Sequence, residues 1–220
     1  MIPPVTYQGA KGRLAAAIVE KMAIKRGTSF YDLCCGSGAV SLALIDSGHA
    51  PENIVMVDQG PWGMFWQAVG AGTFDIDVFR SYCVSIPTDT RKVKAKIEEY
   101  HRAPVNEHAV YVFLLLQAAA IGGKAVWIEG PKWARGSGFR DYWLPTATSS
   151  RRSHVNPMMP MPNTIFERVA EIVKKCRGLT GKCCDASDSE IVSPLLRVRG
   201  VWPAGAYIDP QYEGTTGYPF

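Results

Sequence analysis

Apolar positions recur at helical spacing from Arg13 to Ile24 (RLAAAIVEKMAI), and Gly27 supplies a stop. The period then changes. Ser29 to Cys35 (SFYDLCC) reads as a short buried strand, Gly36-Ser37-Gly38 as a tight turn, and Ala39 to Asp46 as a helix closed by Gly48. Asn53 to Val57 (NIVMV) is a second strand, with Asp58 at its end. Strand, glycine turn, helix, strand and acid form the opening unit of a doubly wound α/β sheet. Thr90 to His101 reads as a charged helix and Glu107 to Ile121 as an apolar one. The longest apolar run, Ala109 to Ile121, is broken by Gln117 and falls short of the ~20 residues of a membrane span, which predicts a buried helix. From Gly122 to about Pro162 the chain is rich in Gly, Trp and Arg and in turn signals, and an irregular functional loop region is expected. Asn163 is expected to cap a helix from Thr164 to Arg177 that presents Phe166, Val169, Ile172 and Val173 on one face. Gly181 to Asp185 (GKCCD) and Ala204 to Asp209 (AGAYID) are strand-like, and the second runs into Pro210-Gln211-Tyr212.

Composition bounds the picture without changing it. The 220 residues suit one domain with an inserted subdomain or two small domains, and 47% apolar residues supply a core. Met1-Ile2-Pro3-Pro4 lacks the charged and apolar regions of a signal peptide. Six cysteines are present without a C-x-x-C pair, so no metal site is expected, and they read as small hydrophobes in a reducing cytoplasm. Charge is more informative. Lys124, Lys132, Arg135, Arg140, Arg151 and Arg152 stand against Glu129 and Asp141, so this segment alone carries the whole net charge of +4. That is a local electrostatic footprint of the kind that meets nucleic acid.

Two motifs carry chemistry. Asp209-Pro210-Gln211-Tyr212 closes a strand. The exocyclic amine of adenine is a poor nucleophile, because its lone pair is delocalised into the ring. An acceptor on each amine hydrogen localises that pair. The Asp209 carboxylate and the Pro210 carbonyl can be those acceptors, and Tyr212 offers a face on which a flipped-out base can stack. Asp32 to Gly38 is the second motif: glycines after a first strand let the backbone approach a ligand. A dinucleotide site would want a third glycine where Ser41 stands, and no Walker lysine follows. Asp58 sits where an acid can accept from ribose hydroxyls.

Tyr7-Gln8-Gly9-Ala10-Lys11 before a helix, then Asp32 to Gly38, then Asp209 to Tyr212, resemble in content and order the Dam-type adenine DNA methyltransferases of bacteria and phages. Ala109 to Trp127 resembles, more loosely, the opening of that family's recognition insert. The resemblance implies a Rossmann-like sheet binding S-adenosylmethionine, from residues 1–60 and 178–220, with a mainly helical target-recognition insert at 61–177. It implies that Tyr7, Gly9 and Lys11 border the donor's methionine end with Asp32, Gly36 and Gly38. Asp58 would hold the ribose and Asp185 the donor's adenine. Asp209, Pro210 and Tyr212 would hold the target base. Lys132, Arg135, Arg140, Tyr142, Arg151 and Arg152 would meet double-stranded DNA, with Trp127, Trp133, Phe139 and Trp143 among them. A cytoplasmic protein of restriction-modification or phage origin is the matching expectation.

The chain departs from that pattern twice. Gln211 replaces the second proline of D-P-P-Y, which keeps the Pro210 carbonyl but removes rigidity. The family continues beyond its catalytic motif with three further strands, whereas this chain ends at Phe220, so the second half of the sheet is expected to be missing. A shortened chain, completion by another polypeptide, and a binder without turnover all fit. The alternatives that stay open are a non-catalytic DNA- or donor-binding relative, and a methyltransferase acting on RNA or on cytosine. Asp209, rather than a serine, favours adenine over cytosine.

Overall fold

The computed structural model describes residues 1–188, 190–192 and 204–210. Gln211, Tyr212 and the rest of the chain after Pro210 lie outside the described residues. The described strands are β1 (Ser29–Leu33), β2 (Ile54–Asp58), β3 (Val126–Glu129), β4 (Lys132–Arg135), β5 (Thr180–Cys183) and β6 (Ala204–Ile208). The helices are α1 (Ala15–Met22), α2 (Ala39–Asp46), α3 (Gly60–Ala71), α4 (Ile76–Val84), α5 (Thr90–Arg102), α6 (Ala109–Ala119) and α7 (Pro162–Lys175). The protein is α/β. Four strands pair in parallel in the order β5-β2-β1-β6. The chain steps outward from β1 through β2 to β5 and returns on the other side of β1 as β6. That reversal puts a topological switch point between β1 and β6. In open α/β sheets, ligands bind beyond the carboxyl ends of the strands at such a point. Among the described residues no helix is long and apolar enough to cross a membrane.

The chain divides into two compact units. The first comprises residues 1–4, 9–76 and the described residues from 168 onward; the second comprises 5–8 and 77–167. In the first unit, β1, α2 and β2 form where the hydrophobic pattern puts them. The strand ends at Leu33, two residues early, because Cys34 turns the chain with φ 62. Helix α1 is shorter than its pattern, and its left-handed cap is Ala23 (φ 47) rather than Gly27. The sequence pattern did not mark α3, which buries Trp62, Phe65, Trp66 and Val69. Glycines let it lie close on the sheet: a Cβ on Gly181 of β5 would come within 2.2 Å of the Trp66 backbone, and one on Gly70 within 2.2 Å of the Leu179 carbonyl. The segment 61–76, expected in the insert, therefore counts with the sheet. Helix α7 starts at Pro162, one residue before the expected cap Asn163, and proline at a helix start is pre-set for it. Its buried stripe is Ile165, Val169 and Ile172, continued by Cys176 just past its end and rotated from the expected face, while Phe166 takes the Arg80 guanidinium over its ring at 4.7 Å.

The second unit is built around α6, all eleven residues of which are buried. Burying Leu114, Leu115 and Leu116 contributes roughly 1.5–3 kcal/mol each. Gln117, the one polar residue, is fully buried and fully used. Its Nε2 donates to the carbonyls of Gly123 (3.1 Å), Lys124 (3.0 Å) and Thr6 (3.5 Å), and its Oε1 accepts from Val126 N–H at 3.1 Å. Gln8 N–H adds a bond to the Gly123 carbonyl at 2.7 Å. Residues 5–8 are thereby stitched to α6 and to the start of β3. The expected irregular segment holds an antiparallel hairpin, β3-β4, turned at Gly130 (φ 55) and Pro131. Two short stretches with Val, Trp and Ile around a two-residue Gly-Pro turn are the signal for it.

Candidate functional site

The glycine bend after β1 is fixed from three sides. Cys35 N–H donates to the Val57 carbonyl at 3.0 Å, and Gly38 N–H to the Cys35 carbonyl at 2.9 Å. Trp66 Nε1 donates to the Gly36 carbonyl at 2.8 Å. The Trp66 ring also fills the space beside Gly38 (φ 73), where a Cβ would sit 2.3 Å from it. Gly36 N–H points at Asp58 and donates to its Oδ2 at 2.7 Å. A residue with a side chain at either glycine would meet a disfavoured backbone region, and at Gly38 a collision as well.

Asp32 is 2% exposed, and its Oδ2 accepts from Ser41 Oγ at 2.6 Å. The position that counted in the sequence only as a missing glycine is therefore the hydroxyl that steadies a buried acid. Burial pushes the Asp32 carboxyl from the usual 3.8 to about 6, against the Ser41 hydrogen bonds, with a smaller upward push from Asp209. Asp58 is raised to about 7, again by burial first, with the Gly36 N–H opposing and Asp32 adding to the rise. Asp185 follows β5 and is exposed. Its Oδ1 accepts from Ser187 N–H (2.8 Å) and Oγ (2.6 Å), its Oδ2 from Gln59 Nε2 at 2.7 Å, and the Ser187 bonds hold its carboxyl below the usual range.

Asp209 follows β6. Its N–H reaches the Leu33 carbonyl at 3.5 Å, which continues the β1-β6 register Leu33 to Ile208 and brings Asp209 beside the first residue of the glycine bend. Lys11 forms an ion pair with Asp209 Oδ2 and donates to the Gly9 carbonyl at 3.0 Å. The Cys34 thiol records the convergence of these groups. It is pushed up to about 11, by burial first and then by the charges of Asp58, Asp185, Asp32 and Asp209. Cys35 is raised well above the ordinary range for the same leading reason. Four carboxyl groups thus gather at the carboxyl edge of the sheet, two of them raised toward neutral pH. Such a site favours a cationic ligand and hydroxyl or amine donors. It also keeps both thiols protonated, which disarms them as nucleophiles.

Of the sequence-predicted donor residues, Gly9, Lys11, Asp32, Gly36, Gly38, Asp58 and Asp185 belong to the first unit, and Tyr7 to the second. Pro210 is exposed next to Asp209; Tyr212 lies outside the described residues. The predicted DNA-facing residues all belong to the second unit but differ in kind. Lys132, Arg151 and Arg152 are exposed. Arg135 stacks on Phe139 at 4.3 Å, and Arg135 Nη1 and Arg140 Nη1 are buried without a hydrogen-bond partner among the described residues. Tyr142 packs on His154 with ring centroids 4.8 Å apart. Trp133 and Phe139 are core residues of this unit, 6% and 3% exposed, so they offer no stacking face. Comparison with protein-family models and with curated proteins gives no match, so the function of this site has to be read from its own residues.

Proposed function

We propose that this protein binds S-adenosylmethionine at the carboxyl edge of a Rossmann-like methyltransferase sheet and methylates the exocyclic amine of adenine in double-stranded DNA. The observation that carries the reading is the adjacency of Asp209 and the glycine bend, which leave neighbouring parallel strands at the same edge of the sheet, at its switch point. The carboxylate-rich surroundings fit the donor. Asp32 and the bend at Gly36 and Gly38 would hold its methionine end, Asp58 the ribose hydroxyls and Asp185 the adenine. When bound, the donor supplies a methyl group on a sulfonium, an electrophile that needs no activation by the protein. The protein's work is at the acceptor. Asp209 and the Pro210 carbonyl would accept hydrogen bonds from the two amine hydrogens and orient the nitrogen lone pair; as the N–C bond forms the S–C bond would break to leave a neutral thioether, and the surplus amine proton would pass to solvent along the Asp209 hydrogen bond. A base in a duplex must leave the stack for this, and Lys132, Arg151 and Arg152 would hold phosphates of that duplex. Protonated Cys34 and Cys35 leave no thiolate to add to a pyrimidine ring, which favours direct transfer to an amine.

The test is transfer of a labelled methyl group to unmethylated duplex DNA by the chain and by Asp209→Ala. Expected is transfer by the parent, none by the variant, and donor binding by both. Donor binding without transfer by the parent would favour the non-catalytic alternative. Loss of donor binding in Asp209→Ala would remove Asp209 from the base seat.

A further inference from the structure

The carboxylate assigned to the target amine already carries an amine of the protein's own. Lys11 pairs with Asp209 Oδ2 and is tethered a second time by the Gly9 carbonyl at 3.0 Å. The two side chains are 27% and 17% exposed, so the pair is shielded yet open to exchange. Gly9 sits at φ 92 on the surface, a backbone turn that brings its carbonyl back over the lysine. A lysine ammonium and an aromatic amine are chemically alike in one respect: each offers N–H donors to a carboxylate. While Lys11 is paired with Asp209 Oδ2, an incoming amine has to share that contact or displace the lysine from it.

We propose that Lys11 is a displaceable occupant of the target-amine seat, a positioning residue that holds Asp209 until the base arrives and then gives up its place. The proposal rests on the adenine-methylation reading. Asp209 lies close enough to Asp32 to add to the rise of that carboxyl, so two acids share this corner. Lys11 sets an opposite charge against their repulsion and fixes the Asp209 carboxylate in place. The Gly9 tether retains the ammonium nearby when Asp209 is surrendered, so the charge is moved rather than lost. Small amines and metal cations are kept off the seat meanwhile, and only a base that brings its own binding energy from the duplex displaces the lysine.

The experiment uses the full chain, its Lys11→Met and Lys11→Arg variants, and ethylammonium as the probe. Saturation-transfer NMR measures ethylammonium binding; methyl-transfer kinetics measure its competition with duplex DNA. Lys11→Met is expected to bind ethylammonium roughly fivefold more tightly than the parent, the upper end for one partly exposed ion pair. Ethylammonium should then compete with DNA, and KM for DNA should fall several-fold. Lys11→Arg, which keeps the charge, should exclude the probe as the parent does. Equal ethylammonium binding by the parent and Lys11→Met, with transfer by the parent intact, would overturn the exchange alone. A gain of ethylammonium binding in Lys11→Met with no methyl transfer by the parent would overturn the exchange and the adenine reading together.

Discussion

Replacing Asp32 by Asn removes a charge from the least accessible acid of the site and keeps its shape. The amide oxygen can still accept from Ser41, which bonds Asp32 at 2.6 Å. In the folded chain the Asp32 carboxyl holds its proton up to about pH 6, against 3.8 ordinarily. The folded state therefore binds more protons between those values, and the parent gains stability as pH falls through that window. Above it the group is charged in both states, and the folded chain bears the whole burial cost. At about 1.4 kcal/mol per pH unit, that cost is roughly 3 kcal/mol. The Asp32→Asn variant escapes it. Any fixed penalty for seating the amide is the same at every pH and cancels when the two proteins are compared across pH. Urea unfolding of parent and variant at about pH 5 and about pH 8 should show the variant relatively more stable at the higher pH, by roughly 1 kcal/mol. A difference between the two proteins that does not change with pH would refute the assignment of a burial-raised acid at Asp32.

Three further outcomes follow from the same geometry. Asp32 and Asp58, raised to about 6 and about 7, must ionise to hold a cation and ribose hydroxyls, so S-adenosylmethionine should bind more tightly as pH rises through that range. Calorimetry in buffers of different ionisation enthalpy should detect proton release on binding near pH 6.5, roughly the middle of the window; absence of release would contradict it. Trp66→Phe removes the outer indole carbons that lie beside Gly38 and the hydrogen bond to the Gly36 carbonyl, and should cost roughly 2–4 kcal/mol of stability in urea unfolding together with a measurable loss of donor affinity. Alanine at Lys132, Arg151 or Arg152 should each lower the salt dependence of DNA binding by about one unit of slope, read by fluorescence anisotropy across a salt series, whereas unchanged slopes would move the DNA face elsewhere.

The β1-turn-α2-β2 unit was legible because its residues obey local rules: short, mostly apolar runs for buried strands, glycines where the backbone turns left-handed, an acid at the strand end. α6 was legible for a related reason, since Gln117 is the lone polar residue in an apolar run. α3 was not. It is apolar on most sides because it lies on the sheet, and Gly60, Gly63 and Gly70 look like loop signals in a linear reading although Gly63 and Gly70 permit that close approach. The site divides in the same way. Asp32, Gly36, Gly38, Asp58 and Asp209 could be found from strand ends. The Ser41 hydrogen bond to Asp32 and the Lys11 ion pair to Asp209 could not, because they join residues that only the folded sheet brings together. Trp133 and Phe139 were expected among the residues that meet DNA, and their burial shows that aromatic content alone does not distinguish a contact surface from a small core.

The bonds from Gln117 to the Thr6 carbonyl and from Gln8 to the Gly123 carbonyl make the second unit a product of two distant stretches of chain. Residues 77–167 are consequently not a cassette. Grafted onto a related scaffold without residues 5–8, they would carry a glutamine amide short of one of its acceptors and a Gly123 carbonyl stripped of its Gln8 donor. Any chimera meant to exchange this region has to bring both stretches across together.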